Sequence, residues 1–121
     1  MEPSFYVVSL NVHNMPLAAH FYRDVIGLPV LLHHGDRPHF DLGGSYLVLL
    51  PGKTSEGEGD AKEQFPKVAF RVADLDRYID RLQAHFVELP WGIESNETSR
   101  WVKFYDPASN LIELVEIIQA V

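Results

Sequence analysis

A chain of 121 residues, 46% hydrophobic and 22% charged, has the balance of one globular domain large enough to bury a core. It contains no cysteine, which excludes disulfides, thiolate nucleophiles and cysteine-ligated zinc, and favours a reducing compartment. A formal net charge of −7 repels phosphate backbones and argues against nucleic acid as a partner.

Val8, Leu10 and Val12 alternate with Ser9 and Asn11, the period of a half-buried strand. A helix follows, with Met15, Ala19, Tyr22 and Ile26 on one face, Asn14 as its N-cap, Pro16 in the first turn and Gly27 as its stop. Three short extended segments come next, over 29–34, 38–42 and 45–50, separated by Gly35-Asp36-Arg37-Pro38 and Gly43-Gly44. The stretch 52–65, rich in Gly, Glu, Lys and Ser, has no periodicity and reads as a linker. The pattern then repeats. Val68, Phe70 and Val72 form a second alternating strand. Leu75, Ile79, Leu82 and Phe86 form a second helical face behind the N-cap Asp74. Extended segments over 87–90, 100–105 and 111–117 complete the copy. The expectation is an α+β fold of one domain over 1–121. Two tandem βαβββ modules, at about 4–51 and 66–118, build a cupped mixed sheet with helices on one face.

The opening Met1-Glu2-Pro3-Ser4 has no signal-peptide character, and no apolar run approaches the ~20 residues of a membrane helix, so a cytoplasmic location and no membrane partner are expected. His33, His34, Asp36 and His39 are dense in metal-ligand chemistry. His33 and His34, however, point to opposite faces of a strand, so the group reads as polar side chains of a turn, with His39 able to reach a ligand. Gly52-Lys53-Thr54 matches the end of a phosphate-binding loop, but the earlier glycine would fall on Leu47, so no cradle forms. There is no Gly-x-Ser-x-Gly elbow. Trp91 and Trp101 can stack on a planar or cationic ligand.

Two segments carry a family resemblance: Phe21-Tyr22-Arg23-Asp24-Val25-Ile26-Gly27-Leu28 and Phe104-Tyr105-Asp106-Pro107-Ala108-Ser109-Asn110-Leu111-Ile112-Glu113-Leu114. With the duplicated unit, they make the chain resemble the vicinal oxygen chelate superfamily of glyoxalase I, extradiol dioxygenases, fosfomycin-resistance enzymes and bleomycin-resistance proteins. The resemblance implies a cup, often completed in a homodimer. In the family's metal enzymes four side chains hold a divalent ion, and their places here are Val7, Leu49, Lys67 and Glu113. Only Glu113 can ligate, and a shift of Leu49 to Val48 or Leu50 rescues nothing. The expectation is therefore no metal and no cofactor, with Lys67 and Glu113 as an ion pair in the ion's place.

Alternation turns Val7, Ser9 and Asn11 toward the cup from the first strand. Lys67, Ala69 and Arg71 follow from the fifth, Trp101, Lys103 and Tyr105 from the seventh, and Glu113 and Val115 from the last. The candidate ligand-binding residues are Glu113, Lys67, Arg71, Trp101, Tyr105, Asn11 and His39. The expected function is metal-independent binding of a small organic molecule, cationic or aromatic. The alternative is a lyase, isomerase or dioxygenase using Glu113 as a base or in a partial metal site.

Overall fold

A computed structural model describes residues 2–31, 38–52 and 65–119. The chain divides into two compact units, residues 1–54 and 55–121, each with its own sheet.

In the first unit, β1 (Val7–Val12) leads through Asn14, whose Oδ1 accepts the Leu17 N–H at 3.1 Å, into α1 (Met15–His20). The helix does not end there. It continues as a π-helical segment over Phe21–Ile26 and closes on Gly27 at φ 87, where the Gly27 and Leu28 N–H groups both reach the Tyr22 carbonyl. That change of pitch moves the buried face. Ala18, Phe21, Tyr22, Val25 and Ile26 are buried, whereas Met15 and Ala19 are only half-buried, so a uniform 3.6-residue period misplaces the start of the apolar stripe. β2 (His39–Asp41) and β3 (Tyr46–Pro51) follow, joined by a turn in which Asp41 Oδ1 accepts the Gly43 N–H at 2.9 Å. The sheet order is β1-β3-β2, parallel then antiparallel. Of the segment expected over 29–34, Val30 forms an isolated bridge with Phe40, and residues 32–37 lie outside the described residues. His33, His34 and Asp36 fall there, as do residues 53–64 of the expected linker.

The second unit repeats this wiring: β4 (Val68–Arg71), α2 (Leu75–Ala84), β5 (Glu94–Ser95), β6 (Ser99–Tyr105) and β7 (Leu111–Ile117), in the order β4-β7-β6-β5. Again the strand before the helix pairs in parallel with the last strand, which pairs antiparallel with the one before it. The chain is thus α+β, a strand–helix–sheet unit occurring twice and consistent with two βαβββ modules, with three strands in the first sheet and four in the second among the described residues. Val102, Phe104, Ile112 and Leu114 are fully buried on one face of this sheet, with Leu75 and Leu82 of α2. Each side chain of this kind contributes roughly 1.5–3 kcal/mol by leaving water. The start of α2 is tied to β7 by Glu116, whose Oε2 accepts the Leu75 N–H at 2.8 Å while its Oε1 takes Arg100 Nε at 2.9 Å.

The expected strand over 87–90 is absent, and the sheet edge is Glu94–Ser95 instead. The reason is the end of α2. Phe86 adopts φ 61, and the N–H groups of Phe86 and Val87 turn back to the Gln83 and Leu82 carbonyls, the hydrogen-bond pattern of a Schellman stop. The Val87 donor is consumed there, and Pro90 has none to offer a ladder. Phe86 is accordingly 93% exposed rather than part of the helix's apolar face. A left-handed residue with a Cβ is strained, so Phe86→Gly is expected to stabilise the protein by about 0.5–1 kcal/mol in urea denaturation. An unchanged or lowered midpoint would mean that the Phe86 ring contributes more than its backbone costs.

Candidate functional site

The ladder registers decide which side chains share a face, since residues directly opposite one another project to the same side. In the second unit, Ala69, Glu113 and Lys103 form one row and Arg71, Val115, Trp101 and Glu94 the next, with Tyr105 opposite Leu111. Glu113, Trp101 and Tyr105 therefore share the face opposite the α2-side core and are half-buried there, whereas Arg71, at the exposed end of the outer strand β4, lines a groove with residues of α2.

The centre of this face is Lys103, 5% exposed. Its Nζ sits 5.2 Å from the centroid of the Trp91 ring and 3.4 Å from Glu94 Oε1. Trp91 in turn lies against Tyr105, with ring centroids 6.1 Å apart. Glu94 Oε1 is buried and, although close enough to Lys103 for an ion pair, accepts no hydrogen bond among the described residues. Burial pushes the Glu113 carboxyl above its ordinary value; Lys103 pulls it down and Glu94 pushes it further up. Two carboxylates around one ammonium leave a local excess of one negative charge, beside aromatic rings.

Glu94 was not among the sequence candidates, and Trp91, read as able to stack on a ligand, was assigned to no face. Trp91 lies in a turn, where alternation assigns no facing, and Glu94 belongs to a two-residue strand with no periodicity to read. Their signal is the cross-strand pairing of Glu94 with Trp101 and the reach of Trp91 over Lys103.

The expected Lys67–Glu113 ion pair gives way to another arrangement. Lys67 Nζ donates to Asn110 Oδ1 at 2.6 Å, and the cation acting on Glu113 is Lys103. Asn110 is held in turn by Asp106. The Asp106 carboxylate accepts the Ala108 and Asn110 N–H groups at 2.9 Å and Asn110 Nδ2 at 3.0 Å, which fixes the turn into β7. Lys67 thus joins a polar lock at the start of β7, two residues short of the Ala69–Glu113 row.

In the first unit, Val7, Ser9 and Asn11 share a face with Tyr46, Val48 and Leu50, and His39 lies opposite Val48. The His39 ring stands 5.4 Å from that of Tyr46, which meets Tyr6 edge-on at 5.1 Å. Leu49 faces the other way. It pairs with Leu10 and is fully buried on the core side, so the position sharing a face with Val7 is Val48.

These positions do not fit a divalent ion of the family's kind. Val7, Val48 and Leu49 have no lone pair to give, and Lys67 is an ammonium donating to Asn110. Among the described residues no three His, Asp or Glu side chains gather in a way that could hold a metal. What remains on the second-unit face is Glu113, with its charge disfavoured. Glu113→Gln is expected to raise the melting temperature at neutral pH. Because the folded-state carboxyl titrates above its ordinary 4.5, the wild type carries a penalty at high pH that fades as pH falls through the folded value and is gone below 4.5. Melting curves across that range test the sign; a gap between variant and wild type that does not close in acid would contradict the burial of this charge.

The family model described as Glyoxalase/Bleomycin resistance protein/Dioxygenase superfamily matches residues 5–114. The metallothiol transferase FosB of Staphylococcus haemolyticus is 29% identical over 69 residues, 57% of this chain and 49% of that protein, so the chain spans about half the length of the curated relatives it matches. Two solved structures share the fold. One is TnmS3, an antibiotic binding protein from Streptomyces sp. CB03234, with TM-score 0.75 and 23% identity over 96% of this chain and 97% of that one. The other is the fosfomycin resistance protein FosX from Listeria monocytogenes, with TM-score 0.76 and 18% identity over 96% of this chain and 94% of that one.

Proposed function

This chain belongs to the Glyoxalase/Bleomycin resistance protein/Dioxygenase superfamily, and from that premise we propose that it binds a small organic molecule, aromatic or cationic, without a metal ion. The observation that carries the reading is the Lys103 face. The rings of Trp91, Trp101 and Tyr105 line a site whose two carboxylates outnumber its one ammonium, and Glu94 Oε1, in ion-pair range of Lys103, accepts no hydrogen bond among the described residues. Aromatic faces and surplus negative charge both favour a cation over an anion. Its likeness to an antibiotic binding protein supports sequestration as the role. Val7, Val48 and Lys67 support the absence of a bound ion, because none of them can ligate one.

Titrating the EDTA-treated protein with bleomycin and other cationic antibiotics, followed by tryptophan fluorescence, tests this. Saturable quenching that is lost in Trp101→Ala and weakened in Glu113→Gln is the expected result. No saturable signal with any of them would end the sequestration role. The proposal includes a homodimer working in the cytoplasm, for which the exposed Phe5, Phe65 and Phe86 supply apolar surface; sedimentation velocity tests the dimer. No helix among the described residues is long and apolar enough to cross a membrane.

One observation favours a second reading. A glutamate whose carboxyl is raised by burial is suited to proton transfer, the chemistry a lyase, isomerase or dioxygenase of this superfamily would ask of Glu113. Elemental analysis of protein purified without an affinity tag separates the two readings. About one divalent ion per chain favours the metal enzyme.

A further inference from the structure

A groove of about 580 Å3 lies at the junction of β4 and α2, lined by Arg71, Val72, Ala73, Asp74, Arg77, Tyr78 and Arg81. Its volume falls in the range of small-molecule sites. Three arginines converge on it, in a chain whose Asp and Glu number 17 against 10 Lys and Arg. In such a chain an arginine ordinarily finds a carboxylate. Arg23 pairs with Asp24 at 2.7 Å, and Arg100 pairs with both Asp76 and Glu116 at 2.9 Å. Arg71 and Arg77 have no such partner among the described residues.

The one acid among the described lining residues, Asp74, offsets a single positive charge and is turned to the helix start. Asp74 Oδ1 accepts the Arg77 N–H at 3.2 Å as the N-cap of α2. The helix end is not what attracts an anion here, because the Leu75 N–H is spent on Glu116 and the Arg77 N–H on Asp74. The guanidinium groups are. Arg77 and Arg81 stand one turn apart on α2, so their side chains lie along the same face, with Arg71 entering from the strand. Planar guanidinium forks match oxyanions with two oxygens to offer. Tyr78 adds a ring and a hydroxyl to the same wall.

We infer that this groove is a second binding site, for a small organic oxyanion held through a phosphate or carboxylate group by Arg71 and Arg77, the two lining arginines with no carboxylate partner among the described residues. The site has the opposite electrostatic preference from the Lys103 face and stands whether or not that face binds a cation.

The test is amide NMR of the full chain titrated with inorganic phosphate and, separately, with citrate, at constant ionic strength. Saturable shifts confined to the backbone around Val72–Arg81 are expected with at least one of them, at a Kd on the order of 1 mM. Response to phosphate alone assigns a phosphorylated ligand, response to citrate alone a polycarboxylate, and response to both leaves the shared oxyanion chemistry in place. Arg77→Ala is expected to weaken binding about tenfold, and Arg77→Lys less, because lysine keeps the charge but loses the fork. Both sit on an exposed helix position, so unperturbed resonances elsewhere report an intact fold. Shifts that fail to saturate with either anion, or that are the same in Arg77→Ala, overturn the inference.

Discussion

Replacing Asp106 by alanine is expected to cost about 3 kcal/mol of stability, because one buried carboxylate satisfies three N–H donors of the turn into β7. All three lose that acceptor in a place where water does not replace it: Asn110 is fully buried and Ala108 nearly so. A protein of this size has only about 5–15 kcal/mol in total, so the loss is a large share of it. The damage also travels toward the ligand face. Asn110 holds Lys67 Nζ, and the Lys67 N–H bonds the Leu111 carbonyl at 2.8 Å, so the turn sets the register in which Glu113 meets Ala69 and Lys103. Asp106→Asn keeps one acceptor oxygen but sets an amide against Asn110 Nδ2, and its cost should fall between the wild type and the alanine variant. Urea midpoints give the comparison; an alanine variant within about 1 kcal/mol of the wild type would remove the turn from its organising role.

The second large effect is expected at Lys103. Lys103→Met keeps a stem under the Trp91 ring but removes the cation that acts on both Glu94 and Glu113. Removing one partner of a buried ionic group leaves the others uncompensated, a loss of 3–5 kcal/mol when fully buried; partial exposure of both carboxylates reduces this to about 2–3 kcal/mol. The pH dependence gives the cause away. Lys103 holds the Glu113 carboxyl down, so its removal sends that carboxyl higher. The variant's deficit is then full above the new folded-state value and shrinks as pH falls toward 4.5 and Glu113 takes up its proton. Denaturation of both proteins over that range is the measurement. A deficit that stays constant in acid would point to lost packing against Trp91 rather than to lost charge.

Most of the fold was legible in the sequence, for reasons that belong to particular residues. Alternation in Val8, Leu10 and Val12 and in Leu111 to Ile117 reports a half-buried strand directly, because a side chain's face is set by its parity. Asn14 and Asp74 signal the helix starts because their side chains take up backbone donors that have no other partner, and both do so here. What failed depends on local geometry that composition does not encode. The π-helical pitch over Phe21–Ile26 and the left-handed Phe86 each break a regular period, and the second consumed the segment read as a strand. The site was legible by face and not by partner. Parity placed Trp101, Lys103, Tyr105 and Glu113 together, yet gave no means to tell that Lys67 would turn to Asn110 while Lys103 met Glu94. Leu49 shows the same limit from the other side, since a shift of one residue in alignment carries a side chain across the sheet.

Native mass spectrometry of the untagged protein, as isolated and after Glu113→Gln and Trp101→Ala substitution, bears most directly on the Lys103 face as an organic-molecule site. The expected result is an organic adduct that both substitutions deplete, with no divalent ion in fixed proportion to the chain. One divalent ion per chain, lost on Glu113→Gln, would contradict it.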